Sequence, residues 1–146
     1  MGNSKLHVTI HIDGGARGNP GPAAAGVVIR DAADGQAIYE GGLFLGKATN
    51  NQAEYNGLLS GLKQAIELGA VAADVFSDSE LMVKQINGQY RVKNQGLRPL
   101  FEEAKDLAAL LESFNIQHVR RENNKEADRL VNEALDAKRN VEDAAV

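Results

Sequence analysis

The chain predicts an α/β fold built on a five-stranded mixed sheet, and three observations carry that expectation. Segments 6–12, 24–30 and 37–46 show the apolar and polar patterning of strands. From residue 50 onward, helical stripes alternate with short apolar runs. Glycine and proline fall between these segments as punctuation. Hairpins first and strand–helix alternation afterwards give the order β-β-β-α-β-α-α-β-α. Such an order predicts a sheet antiparallel at its front and parallel in its second half, with helices packed on it.

"LHVTIHI" (6–12) alternates cleanly and ends just before Asp13. "AAGVVIR" (24–30) and "AIYEGGLFLG" (37–46) are the next two strands, joined through Asp34-Gly35, a hairpin turn signal. "NNQAEYNGLLSGLKQAIELG" (50–69) reads as a helix that Thr49 or Asn50 can cap and Gly69 can stop. "ADVFS" (73–77) is a short buried strand, and "SELMVKQING" (79–88) a short helix ending at Gly88. "LRPLFEEAKDLAALLESF" (97–114) is a helix with Pro99 in its first turn. "IQHVR" (116–120) is the fifth strand and "NKEADRLVNEALDAK" (124–138) the last helix. Residues 1–138 form a single domain on this reading, and the tail 139–146 is expected to fray. No internal repeat or linker interrupts it.

With 146 residues, 43% hydrophobic and 25% charged, the chain has enough material for one cored domain. No run approaches the ~18 apolar residues of a membrane span. "MGNSKLHV" has no apolar leader region, and Leu6 breaks the Met-Gly myristoylation pattern. A cytoplasmic location with no membrane partner is the expectation. There are no cysteines, which excludes disulfides and thiolate metal sites. A net charge of −4 argues against bulk basic nucleic-acid binding. Yet no acid occurs from Leu81 to Phe101, where Lys84, Arg91, Lys93 and Arg98 stand. That segment is either a phosphate contact or an ordinary solvated loop.

Among 20 acidic residues, four stand out by placement. Asp13 follows the first strand and Asp78 the fourth, where α/β sheets bind ligands. Glu54 heads the helical stripe Leu58, Leu62, Ile66, and Asp128 precedes Val131 and Leu135 by one and two turns. Each has an ordinary alternative: a turn residue, a first-turn acid, an N-cap, an ion pair. Together, without cysteine or an HExxH pattern, they compose a hard-cation site suited to Mg²⁺ or Mn²⁺. "GARGNPG" fits neither GxGxxG nor GxxxxGK, which removes the dinucleotide and P-loop readings.

"DGGARGNPGPAAAGVVI", "TNNQAEYNGLLSGL", "SDSELMVKQINGQYRVKN" and "NNKEADRLVNEAL" together resemble the type 1 ribonuclease H family, in order and over about Leu6 to Lys138. The resemblance implies the ribonuclease H-like fold, with helices on both faces of the sheet. It implies an endonuclease that cuts the RNA strand of RNA–DNA hybrids, leaving 5′-phosphate and 3′-hydroxyl ends. Asp13, Glu54, Asp78 and Asp128 would be the catalytic, metal-binding acids, with two Mg²⁺ or Mn²⁺ ions per site when substrate is bound. Asp13 would bridge both ions, Glu54 and Asp78 share one, and Asp128 hold the other. Gly14, Gly15 and Gly18 would let backbone pass close to the substrate. Asn19, Asn50 and Asn51 would read the minor groove and the 2′-hydroxyls. Thr49 and Asn94, with Lys47, resemble a pocket for a DNA-strand phosphate. No organic cofactor is implied, and a monomer is expected.

Two departures from the family pattern stand out. "VRRENNKEAD" is shorter than the glycine-rich loop that precedes the last acid in many members, and lacks its histidine. His7, His11 and His118 all lie in strand patterns and read as structural, so Arg121 or Arg120 would have to supply the missing charge stabilisation. "INGQYRVKNQG" replaces the long basic, tryptophan-bearing insertion, leaving Tyr90 either to stack on DNA or to cover a helix end. Weak, salt-sensitive hybrid binding follows. The competing readings are a non-catalytic hybrid-binding module, a related DNA nuclease or strand-transfer domain, and an actin-like ATPase. The intact acids oppose the first, the four shared stretches the second, and the chain length the third.

Overall fold

The computed structural model describes residues 5–143; residues 1–4 and 144–146, the last of the tail expected to fray, lie outside that range. β1 (Leu6–Ala16), β2 (Gly21–Asp31) and β3 (Ala37–Ala48) form the expected antiparallel meander. α1 (Asn50–Glu67) leads to β4 (Ala70–Ser77), then α2 (Glu80–Ile86), α3 (Arg98–Ala108) and β5 (Ser113–His118). A single 3₁₀ turn, Arg121–Asn123, precedes α4 (Lys125–Ala137) and β6 (Val141–Asp143). The sheet order is β5-β4-β1-β2-β3-β6, with β1–β4 and β4–β5 parallel and the other pairs antiparallel.

Six strands, not five, make the sheet. The sixth comes from the tail expected to fray, where Val141, Glu142 and Asp143 pair with Gly42, Gly41 and Glu40. A three-residue strand carries too little periodicity to be seen without its partner. β1 runs three residues past Asp13, because Gly14, Gly15 and Ala16 pair with Ala25, Ala24 and Ala23. α3 ends at Ala108 rather than 114, and β5 starts at Ser113 rather than 116. The apolar run through Leu110 and Leu111 suits a helix or a strand approach equally.

Helices cover both faces. Val8, Ile10 and Ile12 of β1 pack with Tyr55, Leu58 and Leu62 of α1, and this core extends to Met82, Ile86 and Ala104. On the other face, Val131, Ala134 and Leu135 of α4 pack against Ala24 and Phe44. Thr49 caps α1: its hydroxyl accepts from the Gln52 N–H while the Gln52 side chain accepts from the Thr49 N–H. Gly69, at φ +93°, follows the helix in the left-handed region. No helix among the described residues is long and apolar enough to cross a membrane.

Candidate active site

The parallel pairing of β1 with β4 creates the centre of the site. Ile12 lies opposite Ser77, so Asp13 and Asp78 follow side by side where the pairing of β1 with β4 ends. Ser79, not Asp78, caps α2: its hydroxyl accepts from the Met82 N–H at 3.2 Å. That leaves the Asp78 carboxylate outside the helix cap.

Glu54 reaches this pair from α1 because of Gly14. A Cβ on Gly14 would collide with the backbone of Ala53 and Glu54. The first turns of α1 therefore sit directly on β1, closer than any side chain would permit. Ligand oxygens of Asp13, Glu54 and Asp78 lie within 4.8 Å of one another. The cleft holding Asp13 and Glu54 has a volume of about 430 Å³ and is also lined by Asp128, Arg17, Asn50 and Arg121. Asp128 arrives from the first turn of α4, on the solvent-exposed flank of that helix rather than in its buried stripe of Ala127, Leu130, Val131 and Ala134. Gly26 seats the helix: a Cβ there would strike the Ala127 carbonyl oxygen.

Burial and like charge set the electrostatics. Burial, then the neighbouring Asp78 charge, push the Asp13 carboxyl up to about 8, with Asp128 adding to the effect. Glu54 is raised well above the carboxylate range by burial, then by Asp13 and Asp78. One Glu54 oxygen, Oε1, is buried with no hydrogen-bond partner. An orphaned carboxylate oxygen among converging acids is costly without a cation. An all-oxygen, multiply anionic donor set of this kind fits Mg²⁺ or Mn²⁺. Arg121 Nε lies 3.9 Å from Asp78 Oδ2 on a side chain that is 87% exposed.

The remaining predicted residues lie around this centre. The Asn50 Oδ1 accepts from the Ala16 N–H at 2.8 Å, and the Asn19 Oδ1 accepts from the Asn50 N–H at 3.0 Å. The two asparagines thus lace the β1–β2 loop to the start of α1. Gly15 faces α4 near Val131, and Gly18 turns the loop at φ +96°. Asn51 and Lys47 are exposed beside them. Asn94 folds its own loop, accepting from Gly96 and Leu97 N–H groups. A Cβ at Gly96 would stand 3.5 Å from the Gln52 amide nitrogen, so this loop borders the Thr49 cap.

In the acid-free segment, Glu80 and Glu102 just outside it pair with Lys84 and Arg98, leaving Arg91 and Lys93 without an ion pair among the described residues. Tyr90 covers the end of α2. Its N–H donates to the Lys84 carbonyl oxygen at 3.2 Å, and its side chain, 51% exposed, lies under the Lys84 ammonium. His11 stacks on Phe76 at 4.9 Å, and no histidine lines the cleft. Two residues escaped the sequence reading. Arg17, the one cation of the "GGARGNPG" loop, lines the cleft and pairs with Asp136 at 2.8 Å. Asn124 is buried, and only its place four residues before Asp128 hinted at a part in the site.

Comparison with known proteins agrees with this geometry. A family model described as "Reverse transcriptase-like" matches residues 11–134. The bifunctional protein Rv2228c of Mycobacterium tuberculosis is 45% identical over 132 residues, covering 90% of this chain but 36% of its own length. A ribonuclease HI of Halobacterium salinarum is 42% identical over 129 residues, covering 88% of this chain and 64% of that one. The chain therefore spans about a third of the mycobacterial protein. Among solved structures, the N-terminal RNase H domain of that mycobacterial protein superposes with a TM-score of 0.88 at 44% identity, covering 91% of this chain and 96% of the other. LC11-RNase H1, solved with an RNA/DNA hybrid, gives 0.85 at 39% identity, covering 90% and 98%. Shared sequence over nearly all the described residues, and a shared sheet carrying clustered acids, have one explanation: the chain belongs to the type 1 ribonuclease H family.

Proposed function

We propose that this chain is an endoribonuclease that hydrolyses the RNA strand of RNA–DNA hybrids, leaving 5′-phosphate and 3′-hydroxyl ends. One observation carries the reading: Asp13, Glu54 and Asp78 converge from three elements to within 4.8 Å, and Glu54 Oε1 is buried without a partner. The hybrid bound to LC11-RNase H1 and the name of the haloarchaeal relative support the substrate.

Asp13, Glu54, Asp78 and Asp128 would hold the Mg²⁺ or Mn²⁺ ions, two per site with substrate bound. When bound, such ions supply an activated water and neutralise charge on the leaving 3′ oxygen. The raised Asp13 and Glu54 carboxyls must lose protons as metal binds, so apparent metal affinity rises with pH. Arg121 contributes positive charge beside Asp78. Because the oxygens of Asn19 and Asn50 are engaged within the protein, their amide N–H groups are the donors left for the minor groove and the 2′-hydroxyls. Asn51, Gly14 and Gly15 belong to the same approach surface. Thr49, Lys47 and Asn94 would take a phosphate of the DNA strand, and Arg91 and Lys93 would add long-range attraction.

The test is cleavage of an end-labelled hybrid with Mg²⁺, Mn²⁺ or EDTA, beside Asp78→Asn. Metal-dependent cutting of the RNA strand alone, lost in the variant, is the expected result. Retained hybrid binding without cutting in either metal would instead make the chain a binding module.

A further inference from the structure

Asn124 is 2% exposed, and its amide is not spent on the task its position suggests. It is the N-cap residue of α4, yet its side chain makes no cap hydrogen bond. Instead Nδ2 donates to the Ile12 carbonyl oxygen at 2.8 Å, one residue before Asp13. Its backbone completes the junction: the Asn124 N–H donates to Arg121 O at 2.9 Å, and Asn124 O accepts from the Asp128 N–H at 3.2 Å. One buried residue thus joins the strand of Asp13, the turn of Arg121 and the helix of Asp128.

Asp128 is the acid for which this junction matters. The oxygens of Asp13, Glu54 and Asp78 already converge within 4.8 Å, whereas Asp128 stands outside that group. Its approach depends on where the first turn of α4 is seated. The Arg30–Glu126 and Arg129–Glu40 pairs tie α4 to β2 and β3. The Asn124 bond is the side-chain hydrogen bond that ties it to β1 among the described residues. Asn124 Oδ1, moreover, is buried with no partner. An unpaired buried amide oxygen costs free energy that an apolar residue would avoid. Retaining the amide there is explained if its donor half has a task in the site.

We propose that Asn124 is a positioning residue that sets the separation of Asp128 from Asp13, and through it the affinity for the cation those two acids hold. The inference rests on the metal-dependent reading given above. A group acting on metal through the ligands it orients typically changes affinity by about 10- to 100-fold when removed.

The test uses Asn124→Leu, which keeps the branched side-chain shape and loses the donor, and Asn124→Ala, which loses both. Mn²⁺ binding to the free protein is followed by electron paramagnetic resonance, and hybrid cleavage is measured across Mn²⁺ concentrations. Both variants should need roughly tenfold more Mn²⁺ for half-saturation and half-maximal rate. The KM for hybrid should stay near the wild-type value, and the rate should recover at high Mn²⁺. Ile116→Val, in the core of β5, serves as a destabilised control with unchanged Mn²⁺ dependence. Combining Asn124→Leu with Asp128→Asn should add little to Asp128→Asn alone. If the Asn124 variants melt earlier but keep wild-type Mn²⁺ profiles in both readouts, the residue is only a structural strut and the inference fails. Should Asn124→Leu not fold, Asn124→Ala and Asn124→Ser carry the same comparison. Failure of the wild type to cut hybrid would count against the proposed function, while the substrate-free Mn²⁺ titration would still judge Asn124.

Discussion

Replacing Asp13 by asparagine should destroy activity and stabilise the metal-free protein, and the second effect should depend on pH. The carboxyl moves from an ordinary 3.8 to about 8 on folding, pushed first by burial and then by Asp78. Between those values the folded chain holds a proton that the unfolded chain has released. Stability therefore falls as pH rises through this window, and the full penalty is present above about 8. A shift of roughly four units at about 1.4 kcal/mol each sets a ceiling on the order of 5–6 kcal/mol. The acids share that strain, so one substitution should recover roughly 2–3 kcal/mol at pH 8. In a domain of this size that corresponds to a rise in Tm of about 5–10 °C. The assay is a thermal melt in EDTA at pH 5, 7 and 8.5. Asp13→Asn should melt progressively higher than wild type as pH rises. Saturating Mn²⁺ should restore wild type and do little for the variant. A Tm difference that stays constant from pH 5 to 8.5 would refute the reasoning, since Asp13 would then ionise in the folded protein as it does in the unfolded chain.

Gly14→Ala should cost at least about 3 kcal/mol, because the new methyl meets the backbone of α1 and no rotamer change relieves it; denaturant melts would measure the loss. Arg121→Ala should leave the melt unchanged and lower kcat about fivefold at saturating metal and hybrid, as befits one exposed charge worth about 1 kcal/mol. An unchanged kcat would remove the residue from the mechanism. Hybrid affinity should fall with salt at a log–log slope of about −2 to −3, since Arg91 and Lys93 make no ion pair among the described residues while Lys84 and Arg98 are partly engaged by acids. A flat titration from low to physiological salt would contradict it.

How much of this was legible follows from the range of each signal. Asp13, Glu54 and Asp78 could be read because periodicity locates strand ends and helix faces, and those locations fix where a carboxylate points. The end of β1 could not. Gly14 and Gly15 have weak strand preference, and only their pairing with Ala25 and Ala24 keeps them extended. β6 exists because Gly41 and Gly42 offer an open edge to Val141 and Glu142, a partnership 100 residues apart in the chain, to order of magnitude, that no local pattern encodes. Asn124 lay hidden for the same reason. Its sequence neighbourhood reads as a helix cap, and its actual partner, Ile12, is on another element.

The site also explains why its loop is rich in glycine rather than merely loose. By strand alternation Ile12 and Gly14 face α1, while Asp13 and Gly15 face α4. Asp13 and Glu54 thus start from opposite faces of the sheet and would be kept apart by any ordinary side chain at position 14. Removing that side chain lets α1 descend until Glu54 reaches the edge of β1. Gly26 does the equivalent for α4, whose Ala127 carbonyl occupies the space of the missing Cβ one residue before Asp128. Two glycines on neighbouring strands, Gly26 opposite Asp13 and Gly14 beside it in the chain, therefore bring one acid from each helical layer to a common cleft. Gly14 and Gly26 position the two helices by having no side chain, so the chemistry can be read from the carboxylates while the approach of α1 and α4 to the sheet resides in the glycines.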